Sequence, residues 1–311
     1  MKKRTVSLVL ALILLIMSCM LTPVAAEQTP YEKYKNHPMK KLWGDVIPYN
    51  DVPKGLKSTP IIIPYVAENN TSGICAVVFP GGGYSTLSTD KEGAKIAQYL
   101  NSQGISAFVV HYRTTDSGKL SYDYHAILSD GLRAIKHVRY NANEYGIDPD
   151  KIFTIGFSAG GHLTCMTATN FDFQVDDPKY TPDAIDAVSA RPNAAAPCYA
   201  VSSISKTYSH IGTRTYFARG NAELELKFSA ENAITENTPP IFLWHTWNDT
   251  TVPVQTCLTF AAALNDKNIP CELHIYANGS HGLGLADTNK TAKSWPTLVT
   301  EWAFRTLADK D

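Results

Sequence analysis

Short apolar runs alternate with amphipathic helical patterns along most of the chain, and this alternation restricts the fold more than any other feature. The runs lack the strict polar alternation of a half-exposed strand, which is typical of parallel strands buried on both faces. The pattern predicts a doubly wound α/β protein with a mostly parallel central sheet and helices on both faces. The predicted strands are Ile61–Val66, Ile74–Phe79, Ile105–Tyr112, Ile152–Ile155, Ala194–Ala200, Ile241–His245 and Glu272–Tyr276.

Helical spacing and end signals mark the segments between these strands. Thr89 to Glu92 match a capping box, and Gly104 stands where a C-terminal cap is expected, so a helix is predicted over 90–103. Other helices are predicted around Leu128 to Val138, from Gly161 to Thr169, from Val254 to Leu264 and from Trp295 to Leu307.

The first 26 residues have the pattern of a secretory signal peptide. A basic start, Met1 to Arg4, precedes the apolar stretch Val6 to Met17, and a small-residue cleavage pattern ends at Ala26. The apolar stretch is shorter than the roughly 20 residues of a membrane-spanning helix, so no membrane span is expected. The sequence therefore predicts a secreted, extracellular protein, with a cell-surface lipoprotein anchored at Cys19 as the alternative.

The rest of the chain is interpreted as an arm and one domain. Residues 27–57 show no clear period and suggest an arm, and residues 58–311 have the length of a single α/β domain. The polar and aromatic segment 201–239 interrupts the alternation and could form a small cap at the carboxyl edge of the sheet.

Charge and cysteine content restrict the partners. Residues 1–26 hold three of the 28 basic residues and none of the 29 acidic ones, so their removal leaves a net charge of −4. Such a chain has no global positive field for nucleic acid or anionic membranes. The five cysteines that remain are odd in number and form no C-x-x-C pair, which argues against a disulfide framework or a cysteine metal site.

A candidate nucleophile lies between a predicted strand and a helix. Gly156-Phe157-Ser158-Ala159-Gly160 follows the strand Lys151 to Ile155 directly, and a helical run begins at Gly161. A G-x-S-x-G turn in this position is tight, so small residues flank the serine and its hydroxyl projects above the sheet edge. The arrangement favours Ser158 as a catalytic nucleophile over a structural glycine turn.

A serine nucleophile needs a base and an acid that orients the base, and both follow in the expected order. Asp249 lies just past the strand that ends at His245, and His281 lies just past the strand that ends at Tyr276. Loops at the carboxyl ends of parallel strands meet at one edge of the sheet. His162 and His210 remain the alternatives to His281 as the base.

The glycine run after the strand Ile74–Phe79 is a candidate oxyanion hole. Pro80-Gly81-Gly82-Gly83-Tyr84 leaves the backbone N–H groups of Gly82 and Gly83 open to a developing negative charge, together with that of Ala159. A phosphate-binding loop is the rival interpretation, but the run lacks the spacing of either common phosphate motif.

Taken together, these motifs resemble the esterase and lipase-like α/β-hydrolases, and within them the acetylxylan-esterase-like and bacterial feruloyl-esterase-like carbohydrate esterases. The resemblance spans roughly residues 60–308 and also rests on Leu87 to Gly93, Thr238-Pro239-Pro240 and Ser280 to Gly284. Pro80 departs from the histidine of the hormone-sensitive-lipase-type loop, which separates the chain from that group and keeps the backbone donors.

The resemblance implies an α/β-hydrolase fold and a serine esterase that releases short acyl groups, acetyl above all, from plant polysaccharides such as xylan. No metal or organic cofactor is expected. Tyr84 and Trp247 are candidate walls of the substrate site, with core packing as the alternative for each. Two other functions stay open, a serine exopeptidase of the prolyl-oligopeptidase type and a non-catalytic carbohydrate-binding module on a hydrolase scaffold.

Overall fold

The computed structural model describes residues 38–115 and 120–308. The predicted signal peptide, the alternative anchor at Cys19 and the first part of the arm, residues 27–37, lie outside the described residues. Within those residues no helix is both long and apolar enough to span a membrane.

The described residues form one eight-stranded sheet. Its strands are β1 (Lys40–Lys41), β2 (Ile61–Tyr65), β3 (Cys75–Phe79), β4 (Ser106–His111), β5 (Ile152–Phe157), β6 (Ala194–Cys198), β7 (Ile241–Thr246) and β8 (Cys271–Tyr276). They lie in the order β1-β2-β4-β3-β5-β6-β7-β8, in which β2 is antiparallel to both of its neighbours and all other neighbouring pairs are parallel. The predicted α/β class with a mostly parallel sheet is therefore confirmed.

Helices cover both faces of this sheet, as the buried strands require. Helices α2, α4 and α7 share one apolar core, and α1 and α8 share the other. The helices are α1 (Lys95–Ser102), α2 (Tyr124–Tyr140), α3 (Ala142–Tyr145), α4 (Ala159–Thr169), α5 (Ile211–Ala218), α6 (Ala222–Lys227), α7 (Gln255–Asp266) and α8 (Trp295–Leu307).

The two cores arise from the two-residue period of the strands. In β3, Val77 and Phe79 belong to the core with α2 and α4, whereas Ala76 and Val78 belong to the core with α1 and α8. Burial of a strand on both faces removes the need for polar residues along it, which explains the continuous apolar runs of the sequence.

The helix expected over 90–103 is present, but the capping box that predicted it is not formed. Residues Asp90–Ala94 form a π-helical turn before α1, and the Thr89 side chain makes no capping hydrogen bond. Glu92 instead points inward, where two other groups bind its carboxylate. The helix thus begins where the sequence predicted, but not for the predicted reason. The Glu92 side chain binds buried partners and not the start of its own helix.

Segment 201–239 contains α5, α6 and a short 3₁₀ turn, Ala230–Asn232, and none of it joins the sheet. Its inner side is apolar: Phe217 and Phe228 are fully buried and belong to the core beside α4. The segment is thus fixed to the domain by aromatic packing, with α5 beside the glycine run after β3.

A buried ion pair ties the arm to the domain. The Arg113 guanidinium contacts the Asp130 carboxylate at 2.7 and 2.8 Å, and both side chains are fully buried. Trp43 donates its indole N–H to the same carboxylate at 2.7 Å, and Arg113 donates to the carbonyl of Pro48. Asp130 therefore holds the arm, the end of β4 and helix α2 at one point.

We expect Asp130→Asn to lower the free energy of unfolding by about 3–5 kcal/mol, because it leaves the Arg113 charge buried and uncompensated. Urea unfolding followed by circular dichroism measures this loss. Arg305→Gln is the control, since its bond to Glu272 is exposed and exposed pairs contribute little. Equal losses in the two variants would contradict the role given to Asp130.

Candidate active site

Ser158 occupies a strained turn between β5 and α4. Its backbone angles are φ 55° and ψ −115°, a region that residues other than glycine rarely adopt. Flanking glycines make the turn feasible: a Cβ on Gly156 would lie 2.2 Å from the Gly160 carbonyl oxygen, and one on Gly160 would lie 2.1 Å from that of Phe79. The spacing of the G-x-S-x-G motif therefore follows from backbone contact.

The structure brings together Ser158, His281 and Asp249. The His281 Nε2 atom lies 2.7 Å from the Ser158 Oγ, and its Nδ1 atom lies 2.7 Å from the Asp249 Oδ2. An Nδ1–H that donates to the carboxylate leaves the lone pair of Nε2 directed at the serine hydroxyl. This arrangement can take a proton from Ser158 as the oxygen attacks an electrophile.

Asp249 sits in a nest of donors that keeps its carboxylate ionised. Its Oδ1 atom accepts the backbone N–H groups of Thr251 and Val252, each at 2.9 Å. Burial opposes ionisation, but the His245 ring 3.5 Å away and the hydrogen bonds from His281 and the Val252 backbone outweigh it and hold the Asp249 pKa well below its usual range. A permanently charged Asp249 can then stabilise an imidazolium at His281.

Side-chain hydrogen bonds join the acid loop to the histidine loop. Thr246 donates its hydroxyl to the Gly279 carbonyl at 2.8 Å, and the Gly279 N–H donates to the Asn248 side chain at 2.8 Å. Residues 246–249 and 279–281 therefore form one unit, which fixes the distance between Asp249 and His281.

The predicted oxyanion donors lie beside the serine. A Cβ on Gly81 would be 3.1 Å from that of Ser158, and Gly82 has a φ of 138°, where a Cβ would strike the Thr86 carbonyl at 2.1 Å. The N–H groups of Gly82, Gly83 and Ala159 have no acceptor in the part of the chain that the structure describes. They remain available to a ligand oxygen, as an oxyanion hole requires.

Two buried residues that the sequence analysis missed support this loop. The Glu92 Oε2 atom accepts the Gly81 N–H at 3.0 Å, and its Oε1 atom accepts the Tyr199 hydroxyl at 2.7 Å. The same hydroxyl accepts the N–H of Gly284 at 3.0 Å, and the Tyr199 ring meets that of His281 edge to face at 5.2 Å. Glu92 and Tyr199 thus connect the oxyanion loop to the histidine loop.

The sequence held only a misleading signal for these two residues. The sequence pattern predicts Glu92 as part of a capping box and Tyr199 as part of the end of a strand. Burial raises the Glu92 pKa, although bonds from Tyr199 and Gly81 and the nearby His281 counteract the effect. A buried carboxyl with a raised pKa that bonds to the loop beside Ser158 is typical of a functional site.

The remaining candidates fall in different places. Tyr84 is fully buried, donates its hydroxyl to the His162 Nδ1 atom at 2.8 Å and stacks on Phe217. This is core packing, so Tyr84 offers no wall to the site. Both ring nitrogens of the buried His162 are bonded within the core, to Tyr84 and to the Phe228 carbonyl. Trp247 is 63% exposed beside the acid loop, where its ring is open to a ligand.

Comparison with known proteins matches the chain to one family. The model of the BD-FAE family aligns with residues 61–264. Endo-1,4-beta-xylanase B of Butyrivibrio fibrisolvens is 35% identical over 73% of this chain and 35% of its own length. Acetylxylan esterase of Xylanibacter ruminicola is 33% identical over 70% of this chain and 42% of its own length. The chain thus spans less than half of either relative.

A solved structure covers the chain more completely. The acetyl ester-xyloside bifunctional hydrolase from Caldicellulosiruptor lactoaceticus superposes with a TM-score of 0.76 at 38% identity, over 86% of this chain and 95% of that one. The expected α/β-hydrolase fold and the resemblance to carbohydrate esterases are both confirmed by these matches.

We expect Glu92→Ala to slow the labelling of Ser158 by a fluorophosphonate about 10- to 100-fold, because the oxyanion loop loses its anchor and small displacements weaken reaction geometry. Mass spectrometry of the labelled peptide over time gives the rate. Asp90→Ala is the matched control, since Asp90 lies exposed on the same turn. Labelling of the Glu92 variant at the wild-type rate would contradict the proposal that Glu92 holds the oxyanion loop in place.

We also expect the burial of Glu92 to make the free energy of unfolding depend on pH. The folded pKa is raised above the ordinary value of 4.5, so the stabilisation is complete below that value and is lost as the pH rises through the folded pKa. The unfolding free energy of wild type minus that of Glu92→Gln should therefore fall with rising pH and then level off. Urea titrations across the acidic range measure it, and a difference that grows with pH would contradict the burial effect.

Proposed function

The chain belongs to the BD-FAE family, and on that basis we propose that it is a secreted serine esterase that removes short acyl groups, principally acetyl, from plant polysaccharides such as xylan. One observation carries the proposal: two hydrogen bonds of 2.7 Å link Asp249, His281 and Ser158, and three backbone N–H groups beside the serine have no acceptor among the described residues.

The first half of the proposed reaction transfers the acyl group to Ser158. The Oγ atom attacks the ester carbonyl as its proton passes to the Nε2 atom of His281, and the carbonyl oxygen becomes an anion facing the N–H groups of Gly82, Gly83 and Ala159. When the intermediate collapses, the bond between the acyl carbon and the sugar oxygen breaks, and His281 gives its proton to the departing alcohol.

Water completes the cycle. His281 takes a proton from a water molecule that attacks the acyl-serine, and the second tetrahedral intermediate collapses with return of that proton to the Ser158 oxygen. Asp249 stays ionised throughout, because its hydrogen bonds lower its pKa, and it stabilises the imidazolium in each half. Each turnover consumes one water and yields one carboxylic acid and one alcohol.

The substrate class rests on two kinds of support. The similar proteins are named an acetylxylan esterase, a xylanase and an acetyl ester-xyloside hydrolase. The chain itself offers Trp247, whose exposed ring beside Asp249 suits the apolar face of a sugar. Secretion is part of the proposal because xylan is an extracellular polymer and the first 26 residues have the signal-peptide pattern.

We expect Ser158→Ala and His281→Asn to lower kcat for 4-nitrophenyl acetate about 10⁴-fold or more, with unchanged circular dichroism, because each removes a group that acts in bond making. A spectrophotometric assay of nitrophenolate release measures the loss. His274→Asn is the control for the histidine, because His274 lies on β8 and bonds to Glu272.

The same enzymes tested on acetylated xylan, 4-nitrophenyl octanoate and an aminoacyl-anilide separate the functions. Acetate release from xylan that Ser158→Ala abolishes supports the proposal. Anilide cleavage without ester cleavage would instead indicate the exopeptidase. Inactivity of the folded wild type on every substrate would leave the non-catalytic binding module.

A further inference from the structure

His210 has one ring nitrogen engaged within the protein and one that is not. Its Nδ1 atom caps helix α5, accepting the Thr213 N–H at 3.2 Å and lying 3.0 Å from the Thr213 hydroxyl. The Nε2 atom has no hydrogen-bond partner among residues 38–115 and 120–308, and it is not sealed in the core.

The cap determines which nitrogen carries the proton. A ring nitrogen that accepts a backbone N–H must present its lone pair, so the proton of the neutral imidazole lies on Nε2. Burial lowers the His210 pKa, the nearby His281 adds to the effect, and Asp249 opposes it. The cap and the burial both favour the neutral ring, with an N–H donor at Nε2.

The position of the ring places this donor at the active site. The His210 Cε1 atom lies 3.8 Å from the point that a Cβ on Gly83 would occupy, so the ring edge adjoins the predicted oxyanion loop. The next residue, Ile211, is 74% exposed, which puts His210 at the rim of the site and not in its floor.

A donor at the rim meets the larger half of the substrate. An acetyl group is small and must lie with its carbonyl against the oxyanion loop, whereas a sugar chain is too large to be enclosed and has to extend outward past the rim. Sugar hydroxyl and ring oxygens there need donors to replace the water that they lose on binding.

We propose that His210 is a substrate-specificity residue whose Nε2–H donates a hydrogen bond to an oxygen of the sugar that carries the ester. This inference rests on the proposed esterase function and deepens it. It also gives a role to a histidine that the sequence left as an alternative base, because a ring that caps α5 through Nδ1 is oriented by the helix and not by a carboxylate.

Two substitutions separate the donor from the cap. In His210→Asn the shorter amide oxygen takes the place of Nδ1 and preserves the cap, because asparagine is a favoured N-cap residue, but nothing replaces Nε2. In His210→Gln the amide nitrogen reaches the Nε2 position, but the cap acceptor is lost. Both are compared with wild type by thermal unfolding and by kcat/KM.

The substrates are an acetylated xylo-oligosaccharide and 4-nitrophenyl acetate, which has no sugar. For His210→Asn we expect the ratio of the two kcat/KM values to shift against the oligosaccharide by about 3- to 10-fold, the loss of one hydrogen bond. His210→Gln should recover much of the ratio while melting at a lower temperature than His210→Asn.

Other outcomes would overturn the inference. If both kcat/KM values of His210→Asn equal those of wild type, His210 only caps helix α5. If kcat/KM falls equally on both substrates, His210 donates to the oxyanion and not to the sugar. If wild type releases no acetate from either substrate, the proposed esterase function itself fails, so the two failures are distinguishable.

Discussion

Close backbone contact at the Ser158 turn is the constraint on which the rest of the site depends. Strand β5, helix α4 and the loop after β3 meet there without side chains between them, because Gly156 and Gly160 lie against carbonyl oxygens at distances that exclude a Cβ. The same contact imposes the positive φ of Ser158 and sets its hydroxyl above the sheet edge. Strain of this kind persists only where the surroundings over-determine the backbone.

Hydrogen bonds between loops fix the rest of this edge. They join the loops after β3, β6, β7 and β8 to one another. Glu92 and Tyr199 link Gly81 to Gly284, and Thr246 and Asn248 both bind Gly279. Most of these bonds join residues more than 30 positions apart in the chain. The geometry of Ser158, His281 and Asp249 is thus a property of the assembled edge, which the parallel sheet creates by bringing its carboxyl ends together.

Two carboxylates near His281 differ in their environment and in the direction of their pKa shifts. The pKa of Asp249 is lowered because its hydrogen-bond donors outweigh its burial, whereas the pKa of Glu92 is raised because its burial outweighs its donors. The difference matches their positions: Asp249 bonds directly to the histidine, and Glu92 bonds to the backbone beneath the oxyanion loop. Environment, and not residue type, decides the direction in which each pKa moves.

The sequence by itself determined the α/β class, seven of the eight described strands to within two residues at each end, and the chain order in which Ser158, Asp249 and His281 occur; the strand Lys40–Lys41 was not predicted. These follow from local causes: residue period, glycine at crowded turns and loops at strand ends. Only the tertiary structure decided that Glu92 abandons its helix cap, that Tyr84 is buried against Phe217 and that His210 joins the rim. Each of these outcomes depends on a partner distant in the chain, and the free energy of burying a group against such a partner exceeds any local preference that a sequence pattern records.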